Sequence, residues 1–310
     1  MKTIAVTGAQ GFVGSAVVKE LLNLGYKVIP IVRQNNGLYS NAIEWDITQT
    51  NKYKFPDVDV VIHSAAKVDD WATYKSSYNV NVTGTKNVIN AFPSVNLFIY
   101  VSSASVYDSK NSDLVITEQS PAGENLLNDY SRTKYEAEKV VLNASSFSRV
   151  VLRPHVVYGP GDKNILPRLL KARKLGRFLV LGNGKNSISL THIDNLVGGI
   201  TRIISSHKKF DGEIFNIADN RTDSVENVIN ALKKELNISE KNFHIPRIIA
   251  LSVGSILEYV AKILGLRHSP LLTPYIVEQM TSNHIIDCSK ANAMFGYNPE
   301  VDYREGFKRL

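Results

Sequence analysis

The stretch Thr3-Ile4-Ala5-Val6-Thr7-Gly8-Ala9-Gln10-Gly11-Phe12-Val13-Gly14 decides how this chain is read. Thr3–Thr7 is rich in β-branched residues and reads as a strand, and Phe12–Leu24 carries the apolar spacing of an amphipathic helix. Between them runs Gly-x-x-Gly-x-x-Gly. Gly8 permits a sharp turn, and Gly11 lets backbone N–H groups approach a pyrophosphate at the helix N-terminus. Gly14 lets that helix pack closely on the sheet. Three glycines alone are a weak signal, and a tight strand-to-helix turn with no ligand is the plain alternative. Set between a strand and an amphipathic helix, they point to a bound dinucleotide.

Outward from this turn, short β-branched runs alternate with helical patterns, the mark of βαβ units and a parallel sheet. Further strands are expected at Lys27–Val32, Val58–His63, Leu97–Ser102 and Arg149–Arg153, and further helices at Tyr74–Ala91 and Tyr130–Ala144. The near-continuous Val58-Asp59-Val60-Val61-Ile62 fits a strand covered on both faces. After Pro154 the rhythm changes. Turn chemistry at Gly159–Asp162 precedes a basic helical stretch from Ile165 to Leu175 and a loop at Gly182–Gly184, and a mostly helical pattern runs from Ser224. The expected fold is therefore α/β, a Rossmann-type doubly wound parallel sheet with a smaller, mostly helical C-terminal substrate region. The dinucleotide-binding domain is assigned to 1–160, with segments near 190–220 and 276–290 returning to it, and the substrate region mainly to 161–310.

Composition sets outer limits. With 310 residues, 44% hydrophobic and 21% charged, the chain is globular, not disordered, collagen-like or coiled-coil. Lys+Arg 36 against Asp+Glu 29 gives a formal charge of +7, scattered without a block that would signal nucleic acid. It suits solubility and anionic small molecules. One cysteine, Cys288, excludes an internal disulfide and a multi-thiolate zinc site. No His/Asp/Glu cluster has metal-ligand spacing, so no metal is expected. The most apolar run, Ile248–Leu257, is too short to span a bilayer, which takes about 20 residues. No cleavable leader precedes the first strand, and a reducing cytoplasm is the default location.

The residues after the second strand discriminate between dinucleotides. A carboxylate there favours NAD by binding the ribose 2′-hydroxyl, whereas an Arg accommodates the 2′-phosphate of NADP. Pro30-Ile31-Val32-Arg33-Gln34-Asn35 offers an Arg and no carboxylate. NADP(H) is favoured over NAD(H), with a solvated Arg at a strand end as the alternative. Asp46 is placed to meet the adenine ring, or serves as a surface cap.

Chemistry is carried by Tyr130-Ser131-Arg132-Thr133-Lys134, a phenol and an ammonium at i and i+4 on one helix face. A neighbouring cation stabilises the phenolate against burial, and such a tyrosine can exchange a proton with an alcohol or carbonyl. Val101-Ser102-Ser103-Ala104-Ser105 supplies hydroxyls at the carboxyl end of a strand, over the expected cofactor crevice.

Taken in order, these motifs make the chain resemble the extended short-chain dehydrogenase/reductases, the NAD-dependent epimerase/dehydratase superfamily. The resemblance runs nearly end to end. It rests on Thr7–Gly14, Asp46-Ile47, His63-Ser64-Ala65-Ala66, Asn81-Val82-Thr83-Gly84-Thr85, Ser102–Tyr107, Tyr130–Lys134 and Arg153–Gly161. It implies Tyr130 as proton donor or acceptor and Lys134 as the residue that lowers its pKa and binds the nicotinamide ribose. Ser103 then orients the substrate oxygen, with Ser102 the lesser candidate. Asn81 either completes a proton relay or stabilises a turn. The cofactor would be lined by Gly8, Gln10, Gly11, Phe12, Val13, Gly14, Arg33, Asp46, Ile47, Ser64, Ala65, Ala66, Tyr130, Lys134, Pro154, Val156 and Val157. His63, His155 and His192 are read as structural histidines.

Three departures narrow the reaction. Sugar-nucleotide dehydratases carry Thr-Asp-Glu where this chain has Ser103-Ala104-Ser105, so water elimination lacks its acid pair. Epimerases have a diphosphate-clamping Arg where Ile188 stands here, and Ile188 cannot pair with an anion. The stretch from Arg153 through Gly184 looks most like the 3β-hydroxysteroid dehydrogenase branch, which includes reductases of long-chain β-keto acids. Ile245–Leu266 and Pro270–Pro274 then line a pocket or a lipid-facing entrance, or else form an amphipathic core helix with Glu258 and Lys262 as an exposed pair. Lys171, Arg173, Lys174 and Arg177 either receive a substrate carboxylate or form a solvated face.

The expected function is NAD(P)-dependent interconversion of a secondary alcohol and a ketone, on an apolar hydroxysteroid-like or β-keto substrate. The alternatives are a nucleotide-sugar epimerase or reductase, and a non-catalytic NADP(H)-sensing protein, which would commonly lack the Tyr/Lys pair. Expected partners are a small-molecule substrate and a second copy in a homodimer through the Tyr74–Ala91 and Tyr130–Ala144 helices, with no nucleic acid and no membrane span.

Overall fold

The computed structural model describes residues 1–50, 55–110, 115–174, 176–266 and 268–310. Seven strands make the central sheet: β1 Thr3–Thr7, β2 Lys27–Val32, β3 Ile43–Glu44, β4 Val60–His63, β5 Leu97–Val101, β6 Ser148–Pro154 and β7 Asp211–Ile217. They lie in the order β7-β6-β5-β4-β1-β2-β3, all parallel. The order reverses beside β1, and in such a sheet the crevice at the carboxyl ends of the strands flanking that point is where a ligand sits.

Alternation along each strand feeds two cores. Ile4, Val6, Val60, Ile62, Ile99 and Val101 face one side, against Val17, Val18 and Leu21 of helix α1 (Phe12–Asn23) and Leu196, Ile200 and Ile203 of the helix Ile193–Ser205. Ala5, Val61, Phe98, Tyr100 and Val151 face the other, against Val82, Val88, Ala137 and Val141 from the 74–91 segment and from helix α2 (Asp129–Leu142). Burial on both faces explains why these strands read as continuous apolar runs.

The 74–91 segment is not the single helix its periodicity suggests. It is helix Tyr74–Tyr78, a π-helical turn Asn79–Thr83, and helix Gly84–Ala91. Such a turn holds one residue more than the α-helical period allows, and it commonly marks a functional site.

The later chain departs further from expectation. The basic stretch is helical only over Ile165–Leu170. Arg173–Lys174 turn back antiparallel onto Arg177–Phe178 of the strand Arg177–Leu181, which also pairs in parallel with Lys241–Ile245. Leu175, the expected end of that helix, lies outside the described residues. The apolar stretch forms helix α3 (Arg247–Ile263), but it is not a core helix: only Ala250, Gly254 and Ala261 are buried. Ile248, Ile256, Tyr259 and Ile263 are each more than 60% exposed. The expected Glu258–Lys262 pair is present at 2.5 Å, and Lys262 also sits over the Trp71 ring. Among the described residues no helix is long and apolar enough to cross a membrane.

Candidate active site

The glycine turn forms as its sequence requires. Gly8 is left-handed, at φ +68°, and the Gly11 amide donates to its carbonyl at 2.8 Å. A Cβ on Gly8 would stand 2.8 Å from the Ala65 backbone, and one on Gly14 only 2.1 Å from the Gly8 oxygen. Gly11 is the N-cap of α1 and brings no side chain to its first N–H groups, which stay available to an anion. This cradle fits a pyrophosphate.

The wall opposite is Ser64-Ala65-Ala66, just after β4. The Ser64 hydroxyl donates to the Thr7 carbonyl at 2.7 Å, and the Ala65 amide to Thr7 Oγ1 at 3.3 Å. Arg33 is exposed at the end of β2. Asp46 accepts from the Thr48 amide and hydroxyl, a local turn, while Ile47 is buried against Gly84. Tyr39, unmarked by any motif, reaches over the turn and donates to the Ala9 carbonyl at 3.0 Å.

The proposed chemical groups meet at the ends of β5 and α2. Asn128 caps α2 by accepting from the Ser131 amide at 2.8 Å, which puts Tyr130 in the first turn and Lys134 one turn on. The Ser103 hydroxyl hydrogen-bonds the Tyr130 phenol, whose pKa burial pushes up to about 12 and this bond pulls back. Lys134 is 2% exposed and is pushed down to about 7 by burial, with Glu138 opposing. Its ammonium donates to the Val101 carbonyl at 2.5 Å and lies 4.3 Å from the Tyr100 ring.

Asn81 sits in the π-turn with both ends of its amide engaged. Its Oδ1 accepts from the Lys67 amide at 2.7 Å, and its Nδ2 donates to Thr133 on α2 at 3.0 Å. Ser102 is buried, its hydroxyl without a partner among the described residues. Pro154 ends β6, Val156 is left-handed at φ +43°, and Val157 begins the short strand Val157–Tyr158. A β-branched residue at positive φ is strained, and strain of this kind gathers at functional sites.

His63 has both nitrogens occupied, by Thr7 Oγ1 at 2.6 Å and Thr85 Oγ1 at 2.9 Å. Burial and the Lys134 charge push its pKa down to about 3. Burial also pushes His155 down to about 3 and His284 down to about 4. All three are neutral when folded, whereas in the unfolded chain they charge below about 6.5. Their stabilising contribution is complete above that pH and is lost as pH falls from it toward 4, at about 1.4 kcal/mol per pH unit for each group. Asp219, raised by burial to about 7, binds its proton in the folded state first and offsets one of the three. The unfolding midpoint should therefore fall steadily between pH 6.5 and 4.5 in thermal melts. A flat midpoint across that range would show these imidazoles to be solvated.

Two cavities flank this centre. One, of about 360 Å³, has an almost wholly apolar wall that includes Val156, Leu166, Phe178, Ile188, Leu257 and Leu272. The other, of about 430 Å³, has Ser105, Ser131, His155 and His284 on its wall. Tyr275, from the helix Pro274–Thr281, lines both, and lies close enough to Tyr130 for the two phenols to raise its pKa further above the usual value. Lys171, Arg173, Lys174 and Arg177 line neither, so the carboxylate-receiving alternative is corrected. Arg173 is paired with Glu240, and Arg177 lies over the Phe243 ring. The cation beside the apolar cavity is Arg168, held by Asp70 through two bonds of 3.0 Å.

Beneath the site lies a buried ion pair. Arg153 Nε and Nη2 donate to the two oxygens of Glu138 at 3.0 and 2.7 Å, with side chains 3% and 1% exposed. The guanidinium lies 4.7 Å from the Tyr107 ring, and Tyr107 donates to Asn216 at 2.6 Å, tying α2, β6 and β7 together.

Residues 4–218 match the model of the NAD dependent epimerase/dehydratase family. The chain is 30% identical to a 2-alkyl-3-oxoalkanoate reductase of Stenotrophomonas maltophilia, over 99% of this chain and 98% of that protein. It is 28% identical to the mouse sterol-4-alpha-carboxylate 3-dehydrogenase, decarboxylating, over 99% of this chain and 90% of that one. Among solved structures, the epimerase Mth375 of Methanothermobacter thermautotrophicus superposes with a TM-score of 0.77 at 20% identity, covering 99% and 90% of the two chains. That likeness shows the shared fold. The chain belongs to the NAD-dependent epimerase/dehydratase family and is an NAD(P)-dependent dehydrogenase/reductase of the extended short-chain type.

Proposed function

We propose that the protein interconverts a secondary alcohol and a ketone on a largely apolar substrate, of hydroxysteroid-like or β-keto type, with NADP(H) preferred over NAD(H). The observation that carries this is the apolar cavity of about 360 Å³ reaching Tyr275 beside Tyr130, with Ile188 on its wall. A cavity of that lining rewards burial of a hydrocarbon at about 25 cal/mol per Å², and the guanidinium on its wall, Arg168, is already engaged by Asp70 rather than left for a diphosphate.

In this reading the Gly8–Gly14 turn holds the pyrophosphate, and Arg33 supplies a guanidinium for a 2′-phosphate. The bound nicotinamide would supply the hydride. Ser103 holds the substrate oxygen, and Tyr130 delivers its proton to that oxygen. Burial pushes the Tyr130 phenol up to about 12 and so holds it protonated, able to donate the proton that reduction of a ketone requires. Lys134 binds the cofactor ribose. Asn81, with its amide fully engaged, is a positioning residue that ties the Lys67 backbone to α2. A homodimer through the 74–91 segment and α2 belongs to the same reading and is checked by sedimentation. Cys288, a lone half-buried thiol, fits a reducing compartment.

A nucleotide-sugar epimerase is the second reading, favoured by the polar cavity beside Tyr130 and opposed by the apolar one. The deciding experiment offers 3-ketosteroids, β-keto acids and 4-keto nucleotide sugars with NADPH or NADH, followed by nicotinamide absorbance. The expected result is oxidation with the apolar ketones, faster with NADPH by about tenfold. Turnover with the nucleotide sugars alone would overturn the proposal.

A further inference from the structure

The polar cavity carries an unusual wall. Four side-chain atoms on it are buried without a hydrogen-bond partner among the described residues: Ser105 Oγ, Ser131 Oγ, His155 Nε2 and His284 Nε2. Ser131 is 1% and His155 4% exposed, so bulk water does not satisfy them. Buried polar atoms are nearly always paired, and leaving one unpaired costs more than a typical hydrogen bond returns. Four on one wall, beside Tyr130, mark the place of a ligand group.

The ring protons show which kind. His155 Nδ1 lies 2.6 Å from the Ser189 carbonyl, and a carbonyl only accepts, so Nδ1 carries the proton. The Glu278 backbone carbonyl lies beside the His284 ring and favours a ring N–H there, while its Nε2 has no partner among the described residues. Both rings, 5.1 Å apart between centroids, therefore present a bare Nε2 acceptor. The serine hydroxyls turn to suit either role. The charged residues on the wall are Asp108, Glu278 and Lys110. Asp108 is engaged by the Lys110 amide and Asn125, Glu278 is held by Arg247 and Ser282, and Lys110 is exposed.

We propose that this cavity takes the polar end of the substrate and reads a hydrogen-bond donor there, a hydroxyl in preference to a carboxylate. A hydroxyl placed at the Nε2 edge of the imidazoles donates to one Nε2 and accepts from Ser105 or Ser131. A carboxylate brings only acceptors against two acceptor nitrogens and loses its hydration. The substrate is then an apolar ketone with a hydroxyl near the reacting carbon, its body in the apolar cavity and its head in the polar one. This rests on the assignment of Tyr130 as the acid that meets the ketone.

The test is direct binding, by calorimetry in the presence of NADP⁺, of three ketones with one alkyl chain: a plain alkan-3-one, its 1-hydroxy derivative and the matching β-keto acid. The hydroxy ketone should bind at least about tenfold more tightly than the other two at pH 7.5. His284→Phe should bring the hydroxy ketone to the level of the plain ketone, and His284→Gln, whose amide oxygen is again an acceptor, should restore most of the preference. Tighter binding of the keto acid, or a preference unchanged in His284→Phe, would overturn the inference. Because binding is read apart from turnover, a hydroxy ketone that binds selectively and is not reduced would instead refute the assigned reaction.

Discussion

Replacing Tyr130 by Phe is expected to lower reduction of an apolar ketone by about 10²–10⁴-fold, while cofactor affinity stays within about threefold. The change removes one oxygen, the atom bonded by Ser103, and leaves the ring packed as before. The loss should fall on kcat, because proton delivery belongs to the transition state and not to substrate binding. Steady-state kinetics and a fluorescence titration with NADPH check it. Activity equal to the unaltered protein would remove Tyr130 from the chemistry.

The second large effect concerns stability. Arg153→Met leaves the Glu138 carboxylate, 1% exposed, buried without its two charge-assisted bonds. Breaking such a pair costs about 3–5 kcal/mol, whereas replacing both partners by apolar residues of similar size is often near neutral. Urea unfolding should thus show Arg153→Met destabilised by that amount and the double variant Arg153→Met, Glu138→Met recovering most of it. A single-variant loss below about 1 kcal/mol would show that the pair is solvated in the folded protein.

The first half of the chain was legible because its signals are local. Strand and helix ends there shift by a residue or two, as where Val58–His63 shortens to Val60–His63: Asp59 leaves the strand and accepts the Thr3 amide on its carboxylate at 2.7 Å. The π-turn at Asn79–Thr83 was not legible, because one extra residue barely disturbs a 3.6-residue period. The hairpin at Arg173–Lys174 was read as helix, since short apolar-basic alternation fits both. Helix α3 was read correctly as apolar and helical, but a pattern does not say what covers a face, and Ile248, Tyr259 and Ile263 point outward.

The site divides the same way. Ser103, Tyr130 and Lys134 belong to two compact motifs, each placed by one strand end or one helix turn. The polar cavity draws Ser105, Ser131, His155 and His284 from four separated segments, and Tyr275 and Tyr39 carry no motif at all. Only the folded sheet brings them to one edge. His155 was legible as a buried histidine with a structural bond, which it makes to Ser189, but its free Nε2 is visible only in three dimensions.

The central claim is net transfer of hydride from a nicotinamide cofactor to an apolar ketone, and isotope transfer tests it most directly. The protein would be supplied with NADPH deuterated at C4 on the transferring face and an apolar ketone, and the product examined by mass spectrometry. The account predicts one deuterium on the new carbinol carbon, and labelled product formed about 10²–10⁴-fold more slowly with Tyr130→Phe. Unlabelled ketone recovered intact, with label-free epimerisation of an added nucleotide sugar, would contradict it.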